Sequence, residues 1–129
     1  MKMLSTWNGG LPTPNDASVF NFGGQPYNLA FDGTNIWAAY SDGNLRKIRA
    51  SDGTLLGTFA RGGNGARFIA FDGFNIWVTN PNENTVTKVR ASDGADLGGF
   101  PVGAFPNGIA FDGTSVWVAN LSGGSVSKR

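Results

Sequence analysis

Apolar and polar positions along the 129-residue chain fall into short, strand-length segments. No window places apolar residues at helical spacing over three turns. The segments LAFDGTNIWAAY (29–40), IAFDGFNIWVTN (69–80) and IAFDGTSVWVAN (109–120) are one pattern written three times. Phe31, Phe71 and Phe111 recur at an interval of 40 residues, and so do Trp37, Trp77 and Trp117. A second block, LRKIRASDGTLLGTF (45–59), returns as VTKVRASDGADLGGF (86–100), at an interval of 41 because the preceding loop is one residue longer. Each repeat reads as four short strands. Leu29–Phe31 and its copies form the first and run into an Asp-Gly turn suited to a tight hairpin. Ile36–Tyr40 forms the second and Leu45–Ala50 the third. A second Asp-Gly, at Asp52–Gly53 and Asp93–Gly94, turns the chain into a fourth strand that ends near Phe59 or Phe100.

Four antiparallel strands per ~40 residues is the unit of a β-propeller blade. The expected fold class is therefore all-β, a single β-propeller domain with three four-stranded blades over residues 24–62, 63–103 and 104–129. In the last of these, Val126-Ser127-Lys128-Arg129 matches Val86–Val89, which leaves that blade without a fourth strand. At the other end, Phe20 precedes Phe31 by the same 11 residues that separate Phe100 from Phe111. Residues 15–23 thus read as a displaced fourth strand, and residues 1–14 as a tail or part of a junction. Three blades alone would each have to fill about 120°, whereas rings of about four to eight blades need roughly 45–90° from each. The reading is a six-bladed ring formed by a homodimer, each chain lending its N-terminal strand to its partner's last blade. The alternative is a piece of a longer propeller.

Composition narrows the function classes. Twenty glycines and 16 aromatic residues fit short strands, tight turns and a core rich in rings. Ten basic against nine acidic residues leave a net charge of +1, with the basic residues spread out, so neither nucleic acid nor a membrane surface is expected as a partner. The chain has no cysteine, which excludes disulfides, thiolate chemistry and cysteine-ligated metal sites. The start MKMLSTW lacks an apolar signal core, and no run approaches the ~18 apolar residues of a membrane span. A soluble chain of unassigned compartment is the expectation.

The segments Ile76-Trp77-Val78-Thr79-Asn80 and Val116-Trp117-Val118-Ala119-Asn120, each preceded by an Ala-Phe-Asp-Gly turn, resemble the YVTN-type repeats of bacterial β-propellers. The wider group of NHL-like and streptogramin-lyase-like propellers is similar at the same places, and the resemblance covers residues 23–129. It implies a propeller, usually of six or seven blades in one chain, and says little of function because such propellers serve many purposes. Streptogramin-lyase-like propellers are metal-dependent and use a histidine as base. This chain has no histidine, so that chemistry does not carry over, and neither a Ser-His-Asp set nor a zinc motif can be assembled.

Among individual side chains, Trp37, Trp77 and Trp117 read as bulky wedges between neighbouring blades rather than as sugar-stacking platforms, since each lies inside an apolar strand. Trp7, outside the repeat, reads as exposed. Asp32, Asp72, Asp112, Asp52 and Asp93 read as turn formers. Lys47, Arg49, Lys88, Arg90 and Lys128 fall at alternate positions of third strands, where they cover apolar stems and pair with aspartates, or else form a girdle for an anionic polymer. The positions where the repeats differ are more informative. Tyr27, Arg67 and Asn107 are equivalent, each before the innermost strand and near the channel mouth, while Tyr40, Asn80 and Asn120 are equivalent at the end of the second strand. These six residues are the candidate ligand site for a small molecule, glycan or peptide. No catalytic residue, metal ligand or cofactor is expected. The function expected is a non-catalytic binding or scaffold module that self-assembles. The alternatives are an ancestral-like or engineered fragment whose only property is assembly, and a lyase or hydrolase working through Glu83, the only glutamate, with an aspartate.

Overall fold

The hairpin turns are built by their aspartates. In each first turn the carboxylate of Asp32, Asp72 or Asp112 accepts two backbone N–H groups of the same turn, at 2.6–2.9 Å. The glycine that follows takes φ near +100°, a conformation open to residues without a Cβ. Between these turns the computed structural model, which describes residues 18–129, forms eleven strands in three antiparallel sheets. The first sheet runs β1 (Pro26–Phe31), β2 (Asn35–Tyr40), β3 (Leu45–Arg49), β4 (Leu55–Phe59). The second runs β5 (Ile69–Phe71), β6 (Asn75–Asn80), β7 (Thr85–Arg90), β8 (Asp96–Pro101). The third has β9 (Pro106–Phe111), β10 (Val116–Asn120) and β11 (Ser125–Lys128). In all three sheets the strands lie side by side in chain order. The pairing of third with fourth strand slips at the same place, after Lys47 and after Lys88. The anticipated junction over residues 1–14, the start of the displaced strand at residues 15–17, and Trp7 lie outside the described residues. Residues 18–25 form no strand. The displaced strand anticipated there is not formed in the single chain, where the Gln25 carbonyl accepts the Ser41 N–H at 2.9 Å beside the end of β2 and Phe20 lies against Gly53.

The sheets meet through their first strands, β1 beside β5 and β5 beside β9, and stack face to face outward from there. Alternation along the strands gives every sheet two apolar faces. Trp37, Ala39 and Leu45 of the first sheet pack against Ile69, Ile76, Val78, Val89 and Ala91 of the second. Trp77 and Val86 on the other face of the second sheet pack against Val116 and Val118 of the third. The tryptophan face of one sheet thus meets the isoleucine–valine face of the next, twice over. Phe59 and Phe100 close the two joints from the fourth strands, their rings 5.5 and 5.8 Å from Trp37 and Trp77. Phe59 also lies over Gly94, where φ is +78° and any side chain would overlap the ring. Gly94 is therefore required twice, for its backbone conformation and for the space above it.

Candidate functional site

The tryptophans are held by more than apolar packing. The second oxygen of each turn aspartate accepts the indole N–H five residues on, at 3.0 Å for Asp32–Trp37 and 2.8 Å for Asp72–Trp77 and Asp112–Trp117. A lysine covers each ring in turn, with Nζ of Lys47, Lys88 and Lys128 at 5.3–5.4 Å from the ring centroids. The repeat thus carries a three-part unit of aspartate, tryptophan and lysine. Burial pushes the carboxyls of Asp32 and Asp72 up, but their backbone and indole donors and the nearby lysine outweigh it and hold both below the usual carboxylate range. Asp112 is fully exposed, and the Ser115 N–H, the Trp117 indole and the Thr114 N–H bring it to about 2. The aspartates do form turns, as expected. Their bond to the indole was missed in the sequence, although the fixed five-residue spacing was a signal for it.

Of the three lysines, Lys128 is exposed and Lys47 and Lys88 are half-buried. Lys47 Nζ crosses to the second sheet and donates to the Ala91 carbonyl at 2.9 Å, whereas Lys88 and Lys128 make no such bond among the described residues. The aspartate pairing expected of the third strands belongs to the arginines: Arg49 with Asp52 at 3.1 Å and Arg90 with Asp93 at 2.9 Å, both half-exposed. Arg129 stands at the position of the half-buried Ile48 and the buried Val89, and donates from Nη2 to the Pro101 carbonyl at 2.8 Å.

The six candidate ligand residues separate into two groups. Tyr27 and Arg67 come together at the end of the inner strands, with the guanidinium 4.7 Å from the centre of the Tyr27 ring. They line a cleft of about 100 Å³ with Asn64, Asn82 and Phe105. Asn107 lies next to them through Thr79, whose carbonyl accepts the Arg67 N–H at 3.1 Å and whose Oγ1 donates to the Asn107 carbonyl at 3.0 Å. Tyr40, Asn80 and Asn120 are instead buried inside their own sheets. The Nδ2 of Asn80 donates to the hydroxyls of Thr85 and Thr87, and that of Asn120 to those of Ser125 and Ser127. At the same place in the first sheet Tyr40 stacks under the Arg46 guanidinium, 4.0 Å away, and Arg46 pairs with Asp42 at 3.2 Å. The end of the second strand points its side chain at the third strand, because Asn80 and Thr85 are paired across the hairpin. Sequence equivalence identified the positions but not this direction. Asn64, Asn82 and Phe105 went unnoticed because they sit in loops that differ among the repeats.

Among the described residues no three of histidine, cysteine, aspartate and glutamate converge as a metal site would need. The Glu83 carboxylate lies over Gly63. No helix among the described residues is long and apolar enough to cross a membrane.

No family model and no curated protein sequence matches the chain. Among solved structures it is similar to hydrazine synthase of Kuenenia stuttgartiensis, at a TM-score of 0.68 and 20% identity, over 84% of this chain and 33% of that one. It is also similar to streptogramin B lyase, at a TM-score of 0.65 and 21% identity, over 81% of this chain and 40% of that one. The chain thus spans between a third and two-fifths of these neighbours. At such identity the likeness is one of fold, and it makes the three antiparallel sheets blades of a β-propeller type.

Proposed function

We propose that the chain is a non-catalytic β-propeller module that assembles with a second copy and takes one residue of a carbohydrate or peptide at its channel mouth. The observation that carries this reading is the Arg67 guanidinium stacked on the half-exposed Tyr27 ring, inside a cleft lined by two asparagines. An aromatic face takes the C–H side of a sugar or an apolar side chain, while amides and a guanidinium hydrogen-bond hydroxyls or carbonyls. The cleft is small beside the ~300–1,000 Å³ of drug-sized ligand pockets, so it fits one unit of a chain-like ligand. In this reading the second copy completes a six-blade ring by strand addition, laying residues 18–25, which form no strand in this chain, beside the third strand of the three-stranded sheet.

The test is a glycan array and a peptide panel, run with the natural chain and with Arg67→Ala. Specific binding that weakens about tenfold or more in Arg67→Ala supports the mouth. Binding that ignores this substitution sinks it. Silence on both panels from a chain that still assembles would leave assembly itself as the function, a reading favoured by the close likeness among the repeats.

A further inference from the structure

The two outermost faces of the three-sheet stack are the two halves of a joint already made twice inside it. The first sheet presents an isoleucine–valine-type face in which Leu29, Ile36, Ala38 and Ile48 line a groove of about 540 Å³. These residues are the repeat equivalents of Ile69, Ile76, Val78 and Val89, which in the second sheet are covered by Trp37. The third sheet presents a tryptophan-type face of Trp117, Ala119 and Val126, the equivalents of Trp37, Ala39 and Leu45. Burial measures what is missing. Leu29 is 60% exposed where Ile69 is 5%, and Val126 is 64% exposed where Leu45 is 0%.

Three further observations show that these faces are prepared for each other. Phe20 lies over Gly53 as Phe59 lies over Gly94, and the two glycines share φ of +78°. Phe59 has Trp37 as its ring neighbour, whereas Phe20 has no such partner among the described residues and is 52% exposed. Lys128 covers Trp117 as Lys47 covers Trp37, without the carbonyl that Lys47 reaches at Ala91. The repeat equivalents of Ala91 and Ser92 are Ala50 and Ser51, which line the groove of the first sheet with their surfaces open.

We infer that the third sheet of one copy docks its Trp117 face into the first-sheet groove of a second copy. The inference rests on the self-assembling reading above and names the surfaces that carry it. Trp117 and Val126 enter the groove between Leu29 and Ile48 of the second copy, and Phe20 of that copy stacks beside Trp117. Lys128 Nζ donates to the carbonyls of Ala50 and Ser51. Both faces belong to one chain and match each other rather than themselves, so the fitting partner is a second copy joined head to tail. Two such joints, related by a two-fold axis, make six sheets.

The experiment is light scattering on a size-exclusion column over a dilution series, with the natural chain, Leu29→Asp, Val126→Asp and Lys128→Ala. The natural chain is expected at twice the 13.5 kDa chain mass. Each aspartate variant should dissociate on the order of a hundredfold more readily, and Lys128→Ala about tenfold. An equimolar mixture of the two aspartate variants retains one intact joint and should pair better than either alone. Circular dichroism and urea unfolding check that the variants fold. Acrylamide quenching of tryptophan, expected to fall as the natural chain dimerises and buries Trp117, gives a readout without mutation. A dimer indifferent to both aspartate variants overturns the docking faces and leaves self-assembly standing. Sensitivity at Leu29 alone also overturns them, pointing to like-face pairing or to residues 1–17 covering the first sheet. A monomer at every concentration overturns the joint and the self-assembling reading together.

Discussion

Trp37 and Trp117 hold the same place in their sheets, bond the same aspartate and carry the same lysine, yet Trp37 is fully buried and Trp117 is 39% exposed. The difference between the inner joint and the outer face therefore lies in the neighbour and not in the repeat. The aspartate–tryptophan–lysine unit is assembled inside a single sheet from residues close in sequence, and it forms whether or not another sheet covers it. What the neighbour adds is the apolar wall of Ile76 and Val89, the Ala91 carbonyl for the lysine and the glycine under the phenylalanine. A propeller of repeats is thus stabilised by terms within each sheet and terms between adjacent ones, as in other repeat architectures.

The largest effect that would break the comparison comes from the tryptophans. Trp37→Ala should cost about 3–5 kcal/mol in urea unfolding, as for other buried aromatic truncations. Trp117→Ala should cost clearly less in dilute, monomeric protein. Equal costs at every concentration would mean that Trp117 is as covered as Trp37. Next come the glycines under the phenylalanines. Gly94→Ala forces a Cβ into the Phe59 ring at positive φ and should destabilise by about 2 kcal/mol or more. In dilute, monomeric protein Gly53→Ala meets the half-exposed Phe20, which has room to withdraw, and should cost only the conformational ~1–2 kcal/mol. Comparable losses at both would show Phe20 as firmly held as Phe59.

A smaller effect separates the lysines. Lys47→Met keeps an unbranched apolar side chain on Trp37 but loses the bond to Ala91, at a cost of about 1.5–3 kcal/mol before solvent screening of this partly exposed group. Lys88→Met, which loses no such bond, should be close to neutral. The smallest effect is in the pH profile. The folded carboxyls of Asp32, Asp72 and Asp112 lie below the value of about 3.9 expected in the unfolded chain. The unfolded state therefore binds protons first as pH falls. The stabilisation from these groups is complete above about pH 4 and is lost downward, for Asp112 through its folded value of about 2. Asp112→Asn should flatten the acid limb of the stability profile between these values. An unchanged limb would show that the indole and backbone bonds do not favour the charged form.

Much of the fold was legible because the repeats repeat. Identical Asp-Gly turns imply identical hairpins, and the four-, four- and three-stranded sheets follow from reading one unit at successive intervals. The candidate site was legible only in part. Tyr27 and Arg67 could be placed together because equivalent positions at the start of adjacent inner strands become spatial neighbours. The inward turn of Tyr40, Asn80 and Asn120 was not, because it depends on what the third strand offers opposite them: Arg46, or a pair of hydroxyls at Thr85 and Thr87 or at Ser125 and Ser127.

By itself, the sequence determined the local chemistry: which residues turn, which alternate, and which aspartate lies five residues from which tryptophan. These depend on separations of a few residues, over which the backbone geometry leaves little choice. Only the tertiary structure decided which copies of that chemistry are buried. The same Trp and Val are core in one sheet and surface in another, and the lysine over the tryptophan is half-buried in one and exposed in another, because burial depends on the face of the neighbouring sheet. Repeated short-range instructions are alike at every position, so they cannot say where the stack has a neighbour and where it has none.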